Sequence, residues 1–413
     1  MSLLIFFSLL SVILLWTRGE WSVRPRTALQ WYLLFSVVYY SHRWIFQWGP
    51  ESTLYASDAP AWVRLIKDVV FLGFIGLMAW RRGFRYSPLL WYALPLIFWF
   101  YLCGIVKLFT QNTSDTLLYY WRYPLEYIPL AFVAFEEDMG ELIRFAAGCC
   151  WIVIGFLGLE IFSGRESGFA LGGVFTRYGS IFGSPNDLGV FCGLGLLGLL
   201  VYQDQVGKKT RALLLPLLAG SLVLSASRSA IVGLMAGLIS IWPRSKKWLA
   251  VVALLGSLFV GSLLVLFRDT QFVYDLVARV GDESAMQRVE ELAQVKYEVY
   301  NWRTENLIFG SWPHIHQEDF YLATLLRTGF VGAGIFFLFC CSTLVRAKHP
   351  FLRAGLVSII IGSIFVPHFD VFPVNFYFWL MAGAVWSVPA LLQEQQFGPI
   401  RTAPLQPYSE APF

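Results

Sequence analysis

The chain has 413 residues, 57% of them hydrophobic and only 14% charged, with a mean hydropathy of +0.60 and a formal net charge of +4. That composition excludes an ordinary soluble globular protein and points to a chain that lives in lipid. The net charge identifies no partner and no nucleic acid, because the basic residues report orientation in the membrane.

A helix needs about 20 apolar residues to cross the hydrocarbon core, and runs near that length recur from end to end. They predict an all-α polytopic membrane protein of about 12–13 transmembrane helices, at residues 2–17, 27–46, 61–80, 88–110, 119–135, 142–163, 187–203, 211–225, 229–243, 248–267, 320–345, 351–367 and 372–392. The first run lacks a basic leader and a small-residue cleavage site, so it reads as a retained span. All six cysteines fall inside apolar runs, which predicts packing residues, with neither a disulfide nor a metal cluster.

The loops alternate in basicity. One side carries Arg18, Arg24 and Arg26, then Arg81, Arg82 and Arg85, then Lys208, Lys209 and Arg211; Arg244, Lys246 and Lys247 follow, then Arg346, Lys348 and Arg353. The opposite loops 47–60 and 111–118 contain no Lys or Arg. The positive-inside rule therefore sets the N-terminus outside and the C-terminus in the cytoplasm, although the acidic inside loop from Glu136 to Glu141 interrupts the pattern. The parts in order are N-terminal helices 1–163, core helices 164–267, an extracytoplasmic loop 268–319, C-terminal helices 320–392 and a Pro-rich cytoplasmic tail 393–413. Within the long loop, Met286, Val289, Ala293, Tyr297 and Tyr300 recur at helical spacing, so a helical lid over the outer face is expected.

Charged residues crowd the outward ends of the spans: Arg64, Lys67 and Asp68, then Lys107, then Arg122 and Glu126, then Glu160. Arg177, Arg228, Arg288, Arg303 and Arg327 follow on outer loops and edges. Pairing at helix ends, as of Lys67 with Asp68 or Arg122 with Glu126, is the plain explanation for any one of them. The set as a whole suits an anionic ligand, because Arg grips phosphate oxygens with two parallel bonds.

Three motifs stand out. The first runs from Arg177 through Gly183, Pro185 and Asn186 to Gly189, a tight turn entering a span, with Asn186 or Asp187 expected as helix N-cap. The second, Leu224 to Ala230, is a short outer hairpin holding Arg228, where a helix N-terminus beside an Arg favours anions. The third, Phe309 to Leu322, carries His314, His316, Glu318, Asp319 and Tyr321 where the long loop re-enters the membrane, followed by Gly329 and Gly332. In this order and spacing, over residues 165–340, they resemble the O-antigen ligase and O-antigen polymerase family of bacterial envelopes.

The resemblance implies a membrane-embedded glycosyltransferase of the GT-C type in the bacterial inner membrane. It implies a glycan donor carried on undecaprenyl diphosphate, an acceptor glycan, and neither a metal nor a nucleotide sugar. Arg177 and Arg228 fall on the family's diphosphate-clamping arginines and Arg288 on a recurrent one, with Arg122 and Lys67 as further candidates. Where ligases carry His-Asn-x-Tyr-Leu this chain has Glu318, Asp319, Phe320, Tyr321 and Leu322, which favours the polymerase side, with a chain-length regulator as a possible partner. The candidate bases are Glu318, Asp319 and His316, with Asp319 as a helix cap and His314 and His316 as plain loop residues the competing readings. Ligation of a finished glycan to lipid A or protein is the alternative function. Transport of lipid-linked sugars is the second, though a transporter should spread polar residues to the midplane; a non-catalytic assembly scaffold is a third.

Overall fold

The computed structural model describes residues 27–39, 61–82, 89–111, 127–132, 139–164, 168–170, 175–182, 184–203, 205–241, 299, 301–311, 320–364 and 373–387. Of these, 87% are helical. In chain order the helices are α1 (Ala28–Val38), α2 (Ala61–Arg82), α3 (Leu89–Gln111), α4 (Met139–Phe162), α5 (Pro185–Val201), α6 (Lys208–Ser225) and α7 (Arg228–Ile241). They continue with α8 (Thr304–Phe309), α9 (Phe320–Arg346), α10 (Pro350–Gly362) and α11 (Val374–Ser387). Among the described residues, α3, α4 and α9 are long and apolar enough to cross a membrane.

Three details depart from the expected pattern. Between α4 and α5 lies a two-stranded antiparallel hairpin, β1 (Gly168–Ala170) with β2 (Phe175–Arg177), which pairs Gly168 with Arg177. Ile128–Phe132, inside the stretch expected as the fifth span, winds as a 3-10 helix. The eleventh expected span is broken: Gly329 in α9 has φ 69 and ψ −174, a conformation only glycine adopts readily.

The helices alternate in direction, and their end contacts fall into two sets. At one end Arg144 bonds Gln205, the Tyr202 hydroxyl meets His349, and Trp386 donates to Thr343. At the other, Glu160 meets the 179–180 turn, Arg177 meets Ser225, and the Tyr321 hydroxyl donates to the Ile360 carbonyl. Lys208, Lys209, Arg211, Arg346 and Lys348 all lie at the first end, where α6 begins and α9 gives way to α10.

The core is a layer of apolar and aromatic side chains. Tyr32 of α1 packs against Phe71 and Phe74 of α2 and Phe376 of α11, and Tyr127, directly before the 3-10 segment, closes the group. α7 lies close against α10, where a Cβ on Gly233 would collide with the Ser358 carbonyl and one on Gly237 would come within 2.6 Å of that of Ala354. Small residues four apart let backbones touch, which is how helices associate where lipid removes the hydrophobic drive.

Candidate functional site

The first two motifs meet. β2 ends at Arg177, whose Nε donates to the Ser225 carbonyl at 3.1 Å and whose Nη2 donates to Asn186 Oδ1 at 2.9 Å. Asn186 Oδ1 also accepts from Ser227 Oγ at 3.1 Å, across 41 positions of sequence. With the Ser227 proton committed to Asn186, the 3.1 Å contact between Ser227 and Ser229 has Ser229 as donor. A strand end, a helix start and a helix hairpin are thereby joined through one amide.

Each part has a local cause. Ser184, not Asn186 or Asp187, caps α5: its hydroxyl accepts from the Asp187 N–H at 3.4 Å and Pro185 holds the first helical position. With the cap supplied by Ser184, the Asn186 side chain is released to reach Arg177 and Ser227. Between α6 and α7 the chain reverses at Ala226, whose left-handed φ of 46 ends α6. Ser227 then accepts from the Ala230 N–H at 3.4 Å and starts α7. Arg228 is the first residue of that helix and is exposed. The first turn's N–H groups have no partner inside the helix, so this corner favours an anion by dipole and by donors.

The third motif begins against a different pair of helices. The short α8 ends at Gly310 with φ 77, and a Cβ there would strike the carbonyls of Leu326 and Arg327. Reciprocally, a Cβ on Gly329 would strike those of Ile308 and Leu307. Two backbones cross at contact distance with a glycine on each. Two side chains of α3 serve the carbonyls at this crossing: Lys107 Nζ donates to Gly310, and Trp99 Nε1 donates to Thr328 at 3.0 Å. The Trp99 ring also stacks on Phe309, 5.5 Å between centroids and 5° from parallel. Trp99 lies twelve positions before Gln111 at the end of α3, a descent of about 18 Å at helical rise. The segment from α8 to Gly310 is therefore carried along α3 well short of that helix's end, and the carbonyls at the crossing find their donors on α3.

Of the other residues expected at a site, Lys67 is buried and ion-paired with Asp68 at 2.9 Å, its ammonium 5.9 Å from the Tyr127 ring centre. Tyr321 ties the start of α9 to the end of α10 through the Ile360 carbonyl at 2.8 Å. Arg122, Gly183, Arg288, His314, His316, Glu318 and Asp319 lie outside the described residues. Among the described residues, no group of three or more His, Cys, Asp or Glu could hold a metal ion, and all six cysteines are free thiols. Glu160 was recognisable in the sequence only as one more outward charge. In the structure its carboxylate accepts from two backbone N–H groups of the turn that follows Arg177. The single carboxylate inside an apolar run was the available signal. No family model matches the chain, and no curated protein matches it.

Proposed function

We propose that this chain is a multi-pass glycosyltransferase of the bacterial cytoplasmic membrane that polymerises oligosaccharide repeat units carried on undecaprenyl diphosphate at the outer face. The observation that carries the reading is the junction of Arg177, Asn186 and Ser227 beside Arg228. Residues of two separate motifs converge there on a helix N-terminus, at the end of the bundle opposite Arg144, Lys208, Lys209, Arg346 and Lys348. The basic loop residues at that opposite end also support the orientation, with that end cytoplasmic and the junction outside.

In this reading Arg177 and Arg228 hold the donor diphosphate and neutralise the charge that grows on it as the glycosidic bond breaks. An acceptor hydroxyl attacks the anomeric carbon, its proton passing to Glu318, Asp319 or His316 on the segment between Gly310 and α9. The diphosphate leaves on its lipid, and the glycan grows by one unit. A carboxylate near its ordinary pKa of about 4 is always ionised but weakly basic at neutral pH, whereas a histidine is better matched.

The test is elongation of a purified undecaprenyl-diphosphate-linked repeat unit by the protein in vesicles, with no nucleotide sugar present. A ladder of products is expected, lost on Arg228→Ala and shortened or lost on at least one of Glu318→Gln, Asp319→Asn and His316→Ala. A wild-type protein that leaves the repeat unit unchanged sinks the proposal.

A further inference from the structure

We infer that Glu160 is a positioning residue that aims Arg177, an inference that rests on the reading above. Glu160 stands two residues before the end of α4 and is 1% exposed. Its Oε1 accepts from the Gly179 N–H at 3.2 Å and its Oε2 from the Ser180 N–H at 2.6 Å. Ser180 has a φ of 52, a left-handed conformation that a residue with a Cβ rarely adopts. That conformation is held by α4 a third time, where Ser180 Oγ donates to the Val153 carbonyl at 2.6 Å.

The turn so fixed begins directly after Arg177. On its other side the Tyr178 N–H donates to the Leu224 carbonyl at 3.2 Å, next to the Ser225 carbonyl that receives Arg177 Nε. The strand end is thus stretched between α4 and the α6–α7 hairpin, with Glu160 as the anchor on the α4 side. Two residues span at most about 7 Å, so slack in the turn is passed to the guanidinium with little loss. A bidentate fork is sensitive to such displacement, because both of its bonds must align together.

The chemistry requires a carboxylate. Each N–H is bonded to its own oxygen of Glu160, and an amide of the same shape keeps one of these acceptors and turns an N–H donor towards the other. Glu160→Gln is therefore the isosteric break. It is expected to raise the half-saturating concentration of lipid-linked donor about tenfold, with a smaller change in turnover at saturation. Glu160→Asp keeps both oxygens on a stem one methylene shorter and is expected to give a smaller loss of the same kind, so it serves as the milder break should the Gln variant fail to fold.

A merely structural role is separated by a cycle: in an Arg177→Ala background, Glu160→Gln has no further effect on donor affinity if it acts through Arg177. Additive losses would overturn the inference. A second readout needs no enzymatic activity. Phenylglyoxal labelling followed by mass spectrometry is expected to modify Arg177 faster in Glu160→Gln than in wild type, with Arg228 unchanged. Equal rates at Arg177 refute the positioning role even if the protein proves to have another activity. A wild-type protein inert towards the donor, with the labelling difference present, refutes the functional reading alone.

Discussion

The two polar assemblies described above are built in opposite ways. At the Arg177 junction, side chains from a strand end, a helix start and a helix hairpin reach across gaps and meet at Asn186. At the Gly310–Gly329 crossing the side chains are absent, two backbones touch, and α3 supplies the bonds from outside. A side-chain assembly can be loosened by degrees, since each bond contributes about 1 kcal/mol and a conservative replacement preserves part of it. A backbone crossing has no intermediate setting, because the smallest added group already collides.

The largest effect is accordingly expected at the crossing. Gly329→Ala forces a Cβ into a glycine-only conformation and into the Ile308 carbonyl, and should lower stability by about 3 kcal/mol or prevent folding. Thermal melting of the detergent-solubilised protein reads it, and a melting temperature within a degree of wild type would break the contrast.

Acid sensitivity is expected at the end of the bundle opposite the junction. There His349 is 3% exposed against Tyr202, and burial pushes its pKa from 6.5 down to about 4. The folded value lies below the unfolded one, so the unfolded chain takes up the proton first. Stability is complete above about pH 6.5, falls as the pH drops towards 4, and levels off below that, with a total loss of up to about 3 kcal/mol. His349→Asn should flatten that limb of the stability–pH curve.

Lys107→Met leaves the Gly310 carbonyl buried without its donor, a loss of about 2 kcal/mol that Lys107→Arg should partly recover. Smaller still, Trp99→Phe keeps a ring against Phe309 and removes only the N–H to Thr328, for about 1 kcal/mol. If the Phe variant costs as much as the Lys107→Met variant, the Trp99 bond to Thr328 carries as much of the crossing as the lysine bond does. At the junction, Ser184→Ala removes the α5 cap for about 1 kcal/mol.

Much of the fold was legible because long apolar runs have one reading. The boundaries of α3, α4, α6 and α7 fall within three residues of those expected, and the Ser-Arg hairpin came from an interruption that only a turn explains. The cap of α5 was misread because Asn186 and Asp187 drew attention from Ser184, although Pro185 directly after it is the ordinary mark of a helix start. Strands of three residues are too short to show a period of two, so β1 and β2 left no trace. The break at Gly329 was hidden because the residues on both sides are apolar and helix-compatible. Its cause, a bond from Trp99 across 229 positions, is a property of the folded chain alone. Asn186 was found in the sequence, but not that one oxygen would gather two motifs.

The break in α9 bears on how the chain is assembled. Before α3 and α8 are in place, nothing favours the interruption: Thr328 has only its own helix to bond, and an unbroken span is the cheapest state in lipid. Synthesis delivers α3 and α8 first, so the partners of the break are waiting when α9 arrives. In the folded chain the helix has exchanged an internal bond for an external one at the break, the Thr328 carbonyl taking its donor from Trp99 of α3.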